Sequence, residues 1–120
     1  MTAIKHKIAP HLWFDKEAKE ATEFYTSIFP DSRITTITTL HDTPSGDCDV
    51  VSFELSRQPF MAISAGPPFR FNPSVSFILN FDPSKDKRAR ENLDALWDKL
   101  SQDGTTLMAL GKYPFSEHYG

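Results

Sequence analysis

The opening segment of the chain joins a short alternating strand directly to an amphipathic helix. In the run Ile8-Ala9-Pro10-His11-Leu12-Trp13-Phe14-Asp15, every second residue from Ala9 to Trp13 falls on one side of a predicted strand. A helix is predicted at once over residues 16–29, with Asp15 as its N-cap and Pro30 as its stop. Its buried stripe comprises Ala18, Ala21, Thr22, Tyr25, Ile28 and Phe29. A strand that leads into such a helix is how a βαβββ module begins.

Three further strands are predicted after this helix, each bounded by turn-forming residues. They cover residues 33–40, 50–55 and 60–65, and two turn clusters separate them, Pro44-Ser45-Gly46 and Arg57-Gln58-Pro59. Gly66-Pro67-Pro68 then ends the last strand, because proline has no N–H to donate to a sheet ladder. These elements complete one βαβββ module, over about residues 4–66.

The remainder of the chain predicts the start of a second, incomplete module over about residues 74–120. It has a strand at residues 75–81, a helix at residues 87–101 capped by Asp82 or Ser84, and a strand at residues 105–110 after Gly104. The helix stripe contains Leu93, Leu96, Trp97 and Leu100. After Gly111 we expect an unpaired tail that includes His118. The predicted fold class is therefore α+β, with two modules in a single domain of residues 1–120 and the second module short of two strands.

Charge and composition exclude several classes of function. The chain has 120 residues and a net charge of -3, and its basic residues form no stripe, so we expect no nucleic-acid partner. The single cysteine, Cys48, cannot form an internal disulfide. No signal peptide and no stretch long enough to span a bilayer is evident, so the expectation is a cytoplasmic protein with no membrane partner.

Several motifs resemble one branch of a known superfamily. They are Pro10-His11-Leu12-Trp13-Phe14, Phe24-Tyr25, Phe29-Pro30-Asp31-Ser32 and Gly66-Pro67-Pro68-Phe69-Arg70-Phe71-Asn72. Together they resemble the PhnB-like branch of the vicinal oxygen chelate superfamily, which includes glyoxalase I, bleomycin-resistance proteins and extradiol dioxygenases. The resemblance implies paired βαβββ modules that curl around a central cavity.

Members of this branch carry the label of a 3-demethylubiquinone-9 3-methyltransferase domain, which the residues of this chain do not support. An adenosyl or dinucleotide cofactor usually lies against a glycine-rich turn between a strand and a helix. The five glycines here are isolated from one another. We therefore expect no cofactor.

The resemblance also implies where a divalent metal would be held. The ligand positions of the superfamily's enzymes fall on Ala9 and Ser76, and a third falls near Ala62, Ser64 and Gly66. Neither alanine nor glycine has a ligand atom in its side chain, and a catalytic site usually needs three protein ligands. We expect no metal site.

The cavity implied by the resemblance would be lined by seven candidate residues for binding a small molecule. They are His11, Trp13, Ser64, Phe69, Phe71, Ser76 and Asn80. An apolar pocket with a few polar groups is typical of small-molecule sites, although Trp13 could be a core residue instead and most of the other aromatic side chains are expected to fill the core. The alternative is an enzyme of the superfamily that uses His11 for proton transfer, or a divalent metal. His11 could also be a core histidine bonded to a backbone carbonyl.

The two strands missing from the second module bear on assembly. Edge strands left open by an incomplete sheet favour pairing with another chain. We expect a homodimer in which the partner covers the exposed edges. The other interpretation is that the sequence is a shortened version of a longer protein.

Overall fold

The structure, a computed structural model, describes residues 8–44, 46–68, 70–72 and 74–120. The described residues have an α+β fold and divide into two compact units, Met1–Phe77 and Ile78–Gly120. In chain order the elements are β1 (His11–Phe14), α1 (Ala18–Ile28), β2 (Arg33–Thr43), β3 (Gly46–Leu55), β4 (Gln58–Ser64), α2 (Ala89–Ser101), β5 (Gly111–Tyr113) and β6 (Ser116–Tyr119).

The first unit is the predicted βαβββ module. Its four strands form one sheet in the order β1-β4-β3-β2. Strand β1 runs parallel to β4, while β4, β3 and β2 are antiparallel neighbours. The parallel pair arises because α1 carries the chain away from β1 and across one face of the sheet, whereas short turns join the later strands.

The core of this unit lies between α1 and one face of the sheet. Val51 and Ala62 are 0% exposed and Phe53 is 1% exposed, and they pack with Phe14 and Ala18. The predicted helix stripe is confirmed at its first turns, because Ala18 and Thr22 are buried and Ala21 and Tyr25 pack against the core. This packing fixes which side of each strand faces the helix.

The start of α1 differs from the prediction. Asp15 is not the N-cap, because the helix begins at Ala18, after Glu17, which makes no capping bond through its side chain. The N–H of Ala18 instead donates to Ser64 Oγ at 3.1 Å. The parallel pairing of β1 with β4 brings the end of β4 beside the start of α1, a proximity that the local sequence does not reveal. The predicted stop is confirmed, since α1 ends at Ile28, two residues before Pro30.

The second unit contains one helix and a two-stranded hairpin, β5-β6. The predicted helix at residues 87–101 is confirmed as α2, but neither Asp82 nor Ser84 caps it. Ser84 donates both its hydroxyl and its N–H to Asp82 Oδ1. Asp86 supports the helix start, because its carboxylate accepts the N–H of Arg88 and its carbonyl accepts the N–H of Ala89.

Both strands predicted in the second module are absent from the structure. Residues 75–81 and 105–110 form neither strand nor helix, and Val75, Ile78 and Leu107 are among the most exposed apolar side chains described. Alternating apolar residues become a strand only where a neighbouring strand supplies hydrogen bonds, and neither segment has one among the described residues. Both predictions rested on local pattern alone.

The predicted tail is in fact the hairpin β5-β6. Aromatic packing stabilises it: the rings of Tyr113 and Phe115 stack at 5.6 Å between centroids, and Tyr119 meets Phe115 edge-on at 5.0 Å. Trp97 on α2 lies close to Gly120. A Cβ added to Gly120 would be only 2.7 Å from the indole ring. Trp97 is therefore a packing residue, as predicted.

No helix among the described residues combines the length and apolar character that crossing a membrane requires.

Replacing Phe53 by alanine tests the core. We expect Phe53→Ala to lower the free energy of unfolding by about 3–5 kcal/mol, because it leaves a cavity beneath α1. The control is Phe24→Ala, on α1 but 44% exposed, which should change stability by less than about 1 kcal/mol. Chemical denaturation measures both, and equal effects of the two substitutions would contradict this assignment of the core.

Candidate functional site

The sheet of the first unit presents two different faces. The helix face packs on α1 and contains Val51, Phe53 and Ala62. Side chains alternate along a strand, so the neighbours of these residues point to the opposite side, which we call the open face. On strands β1, β4 and β3, the open face consists of His11, Trp13, Val50, Ser52, Glu54, Pro59, Met61 and Ile63.

The register of the strands arranges the open face in three rows. Trp13, Ile63 and Val50 lie opposite one another across β1, β4 and β3 and form an apolar row. His11, Met61 and Ser52 form the next row, which has a polar group at each end. Strand spacing and rise make this platform about 10 Å wide and about 7 Å from the first row to the second.

The third row ends the platform with an ion pair. Glu54 lies opposite Pro59 on β4 and opposite Arg33 on β2. Arg33 Nε donates to Glu54 Oε2 at 3.1 Å, so the two charges largely compensate each other. The open face therefore changes from apolar to polar along the strands, with no strong net charge on the row of Arg33 and Glu54.

His11 and Trp13 are adjacent and accessible on β1. Their ring centroids are 5.8 Å apart with the ring planes inclined by 60°, and Trp13 is 40% exposed. Among the described residues, the carboxylates paired with histidines belong to His41 and His118 rather than to His11. The pair thus offers an aromatic surface beside an imidazole that is accessible to a ligand.

The other candidate residues from the sequence lie elsewhere. Ser64 is on the helix face, where its hydroxyl accepts the N–H of Ala18. The ring of Phe71 meets that of Phe14 edge-on, with 4.9 Å between the centroids. Phe14 belongs to the buried core and, as the strand neighbour of Trp13, faces the opposite side of the sheet.

Ser76 and Asn80 are exposed in a stretch without regular structure, and Asn80 belongs to the second unit. Phe69 lies outside the described residues. Of the seven candidates, the structure thus brings His11 and Trp13 together on the open face.

Four residues in the first two rows of the open face were not candidates from the sequence: Val50, Ser52, Met61 and Ile63. The signal for Val50 and Ser52 was present, because they alternate with the buried Val51 and Phe53. Met61 and Ile63 required the parallel register of β1 with β4, which pairs residues about fifty positions apart. No local pattern reports such a register.

Among the described residues, the positions that the resemblance assigns to metal ligands do not carry a good set of donor side chains. Ala62, near a superfamily ligand position, is fully buried on the helix face, and Ala9 has no donor atom in its side chain. Across the part of the chain that is described, no three His, Cys, Asp or Glu side chains gather into a possible metal site.

In the part of the chain that the structure describes, two groups have shifted pKa values, and neither belongs to the open face. Burial raises the pKa of the Tyr25 hydroxyl on α1. In the second unit, hydrogen bonds from the Ser84 hydroxyl and N–H lower the pKa of the exposed Asp82 carboxyl. These shifts therefore carry no argument about chemistry on the open face.

His118 is part of the second unit's structure. The expectation of an unpaired tail is wrong here, because His118 lies in β6 and its Nε2 is 2.6 Å from Asp94 Oδ1 on α2. The histidine side chain is 16% exposed. This contact ties the hairpin to the helix, a role that the sequence separation of the two residues concealed.

Comparison with known proteins gives a family and a structural relative. A family model described as 3-demethylubiquinone-9 3-methyltransferase matches residues 6–120. The chain is similar to the structure of a putative 3-demethylubiquinone-9 3-methyltransferase, PhnB protein, from Bacillus cereus, with 33% identity and a TM-score of 0.76 over 94% of this chain and 87% of that chain.

A protein from Staphylococcus aureus has 26% identity and a TM-score of 0.43, over 94% of this chain and 82% of that one. No curated protein matches the chain.

Ser64→Ala tests the capping role of this hydroxyl. Loss of the acceptor for the Ala18 N–H should cost about 1 kcal/mol of stability and increase hydrogen exchange at the Ala18 amide. The matched control is Ser27→Ala, because Ser27 is exposed and donates only to a carbonyl of its own helix, Phe24 O. Unchanged exchange at Ala18 in Ser64→Ala would refute the capping role.

Proposed function

The chain belongs to the 3-demethylubiquinone-9 3-methyltransferase family, in its PhnB-like branch, and from that premise we propose that it binds a small molecule on the open face without a metal ion. The observation that carries the proposal is the accessible His11–Trp13 pair at one end of two open-face rows. A tryptophan that is 40% exposed beside apolar strand residues is available for contact with a ligand.

The rows of the open face indicate the chemistry of the ligand. Trp13, Ile63 and Val50 favour a flat apolar group, which would stack on the indole and cover the aliphatic side chains. His11 and Ser52, in the next row, can each donate or accept a hydrogen bond. The ligand class that fits best is therefore a planar aromatic molecule of about one or two rings with a polar or anionic group at one end.

Neither a metal nor methyl transfer is part of the proposal. Support for a metal-free site comes from the positions that hold ligands in the superfamily's enzymes, which are Ala9 and Ser76 in this chain. The methyltransferase name belongs to the family, and the isolated glycines give no reason to extend the activity to this chain. Binding requires only the side chains that the open face provides.

Titration with 1-anilinonaphthalene-8-sulfonate tests the proposal, since this probe has planar rings and an anionic group. We expect Trp13→Ala to weaken its affinity by about threefold to tenfold, because a ring contact is removed. In an amide-correlation spectrum of the ¹⁵N-labelled protein, the indole N–H signal of Trp13 should shift during the titration.

Two controls are available within the same chain. Phe24→Ala removes another exposed ring, from α1 on the opposite side of the sheet, and should leave the affinity unchanged. The indole signal of Trp97, which packs against Gly120, should not move. The proposal fails if Trp13→Ala binds the probe as tightly as the unaltered chain, or if the indole of Trp97 alone responds.

A further inference from the structure

One carboxylate oxygen next to the open face is buried without a hydrogen-bond partner. Across the described residues, Asp15 Oδ1 is the only buried side-chain nitrogen or oxygen that forms no hydrogen bond. Folded proteins pair nearly all such atoms, because a buried acceptor without a donor has lost its hydration and gained nothing in return. Asp15 does not cap α1, so the start of the helix does not explain this carboxylate. A group that donates a hydrogen bond to it would bind favourably.

Asp15 continues the line of β1 just beyond the end of that strand. It lies two positions after Trp13, and the alternation of side chains places it on the same side of the sheet. The chain still runs beside the end of β4 here, because Ala65 donates its N–H to Phe14 O at 2.7 Å and Gly66 donates its N–H to Asp15 O at 3.1 Å. Asp15 therefore lies one row beyond the apolar row of the open face.

The other residues of this added row are small or apolar, and they are buried. Ala65 follows Ile63 by two positions and Cys48 precedes Val50 by two, so both share the side of the open face. Ala65 is 6% exposed and Cys48 is 3% exposed. Because water has little access to this row, an unpaired carboxylate oxygen costs more here than on the surface, and a hydrogen bond to it is stronger.

We propose that Asp15 accepts a hydrogen bond from an N–H group of the ligand, so that the open face selects molecules with a donor at one end and an anionic or polar group at the other. This inference rests on the proposed binding of a planar molecule to the apolar row. The carboxyl group turns easily about its last side-chain bond, because torsions of this kind have broad minima, and the unpaired oxygen can therefore meet a ligand. His11 and Ser52 contact the opposite end.

The rows of the open face also set the length and direction of the ligand. Asp15 and His11 are four positions apart, which corresponds to about 13 Å along a strand. Their side chains reach toward a bound molecule from both ends, so a two-ring molecule substituted at its two ends is long enough to contact both while it lies on Trp13. The negative charge of Asp15 repels an anion, which directs the anionic group toward His11.

Two probes that differ by one amino group test this assignment in the full chain. They are 6-aminonaphthalene-2-sulfonate and naphthalene-2-sulfonate, each titrated by calorimetry. We expect the amino probe to bind about tenfold more tightly, because only its N–H can donate to Asp15. Asp15→Asn should reduce this preference to about twofold or less, since an amide oxygen is a weaker acceptor than a carboxylate.

A matched control and a second measurement separate recognition from folding. Asp49→Asn alters a carboxylate of the same sheet that already accepts the Thr39 hydroxyl at 2.9 Å, and it should keep the full preference for the amino probe. In the unaltered chain labelled with ¹³C-aspartate, the carboxyl signal of Asp15 should shift with the amino probe and stay in place with the other. Circular dichroism checks that both variants are folded.

The outcomes distinguish this inference from the proposed function. Trp13→Ala should weaken both probes by the same factor, whereas Asp15→Asn should change their ratio. Equal affinities of the two probes for the unaltered chain, or a preference that survives in Asp15→Asn, would overturn the inference alone if Trp13→Ala still weakens both. Binding of both probes that Trp13→Ala leaves unchanged would overturn the proposed function and this inference with it.

Discussion

The packing of α1 against strands β3 and β4 is the constraint on which the rest of the first unit depends. Val51, Phe53 and Ala62 lose almost all contact with water beneath this helix. Their burial is the main favourable contribution to the unit's stability, because the area removed from water is apolar. It also fixes which face of each strand meets the helix, since a slip of one residue in register would turn the buried apolar side chains to the other face of the sheet. The positions of His11 and Trp13 on the opposite face follow from this choice.

The same constraint explains how the module separates stability from recognition. Side chains on the helix face hold the unit together, and the hydroxyl of Ser64 secures the start of α1 from the end of β4. The side chains of the open face contribute less to this core and are free to vary in chemistry. An exposed aromatic ring beside an imidazole gives the open face groups that a ligand can contact. This division supports a binding role for the open face.

The sequence predicted the first module well because its signals are local. The stripe of α1 and the alternation through Val51 and Phe53 are periodicities that short segments contain. Pro30 and Gly66 marked the ends of α1 and β4 for the same reason. The candidate site was only partly predictable, because the contact of Ser64 with Ala18 and the rows joining β1 to β4 depend on long-range pairing. The strand predicted at residues 75–81 failed because a strand also requires a partner, which local pattern does not specify.

The measurement that tests the central claim most directly is a native mass spectrum of the protein purified from cells without chelators. Metal-free binding on the open face predicts chains that carry an organic mass and no divalent ion. That organic mass should be lost in Trp13→Ala and retained in Phe24→Ala. One divalent ion per chain, retained equally by both variants, would contradict the account.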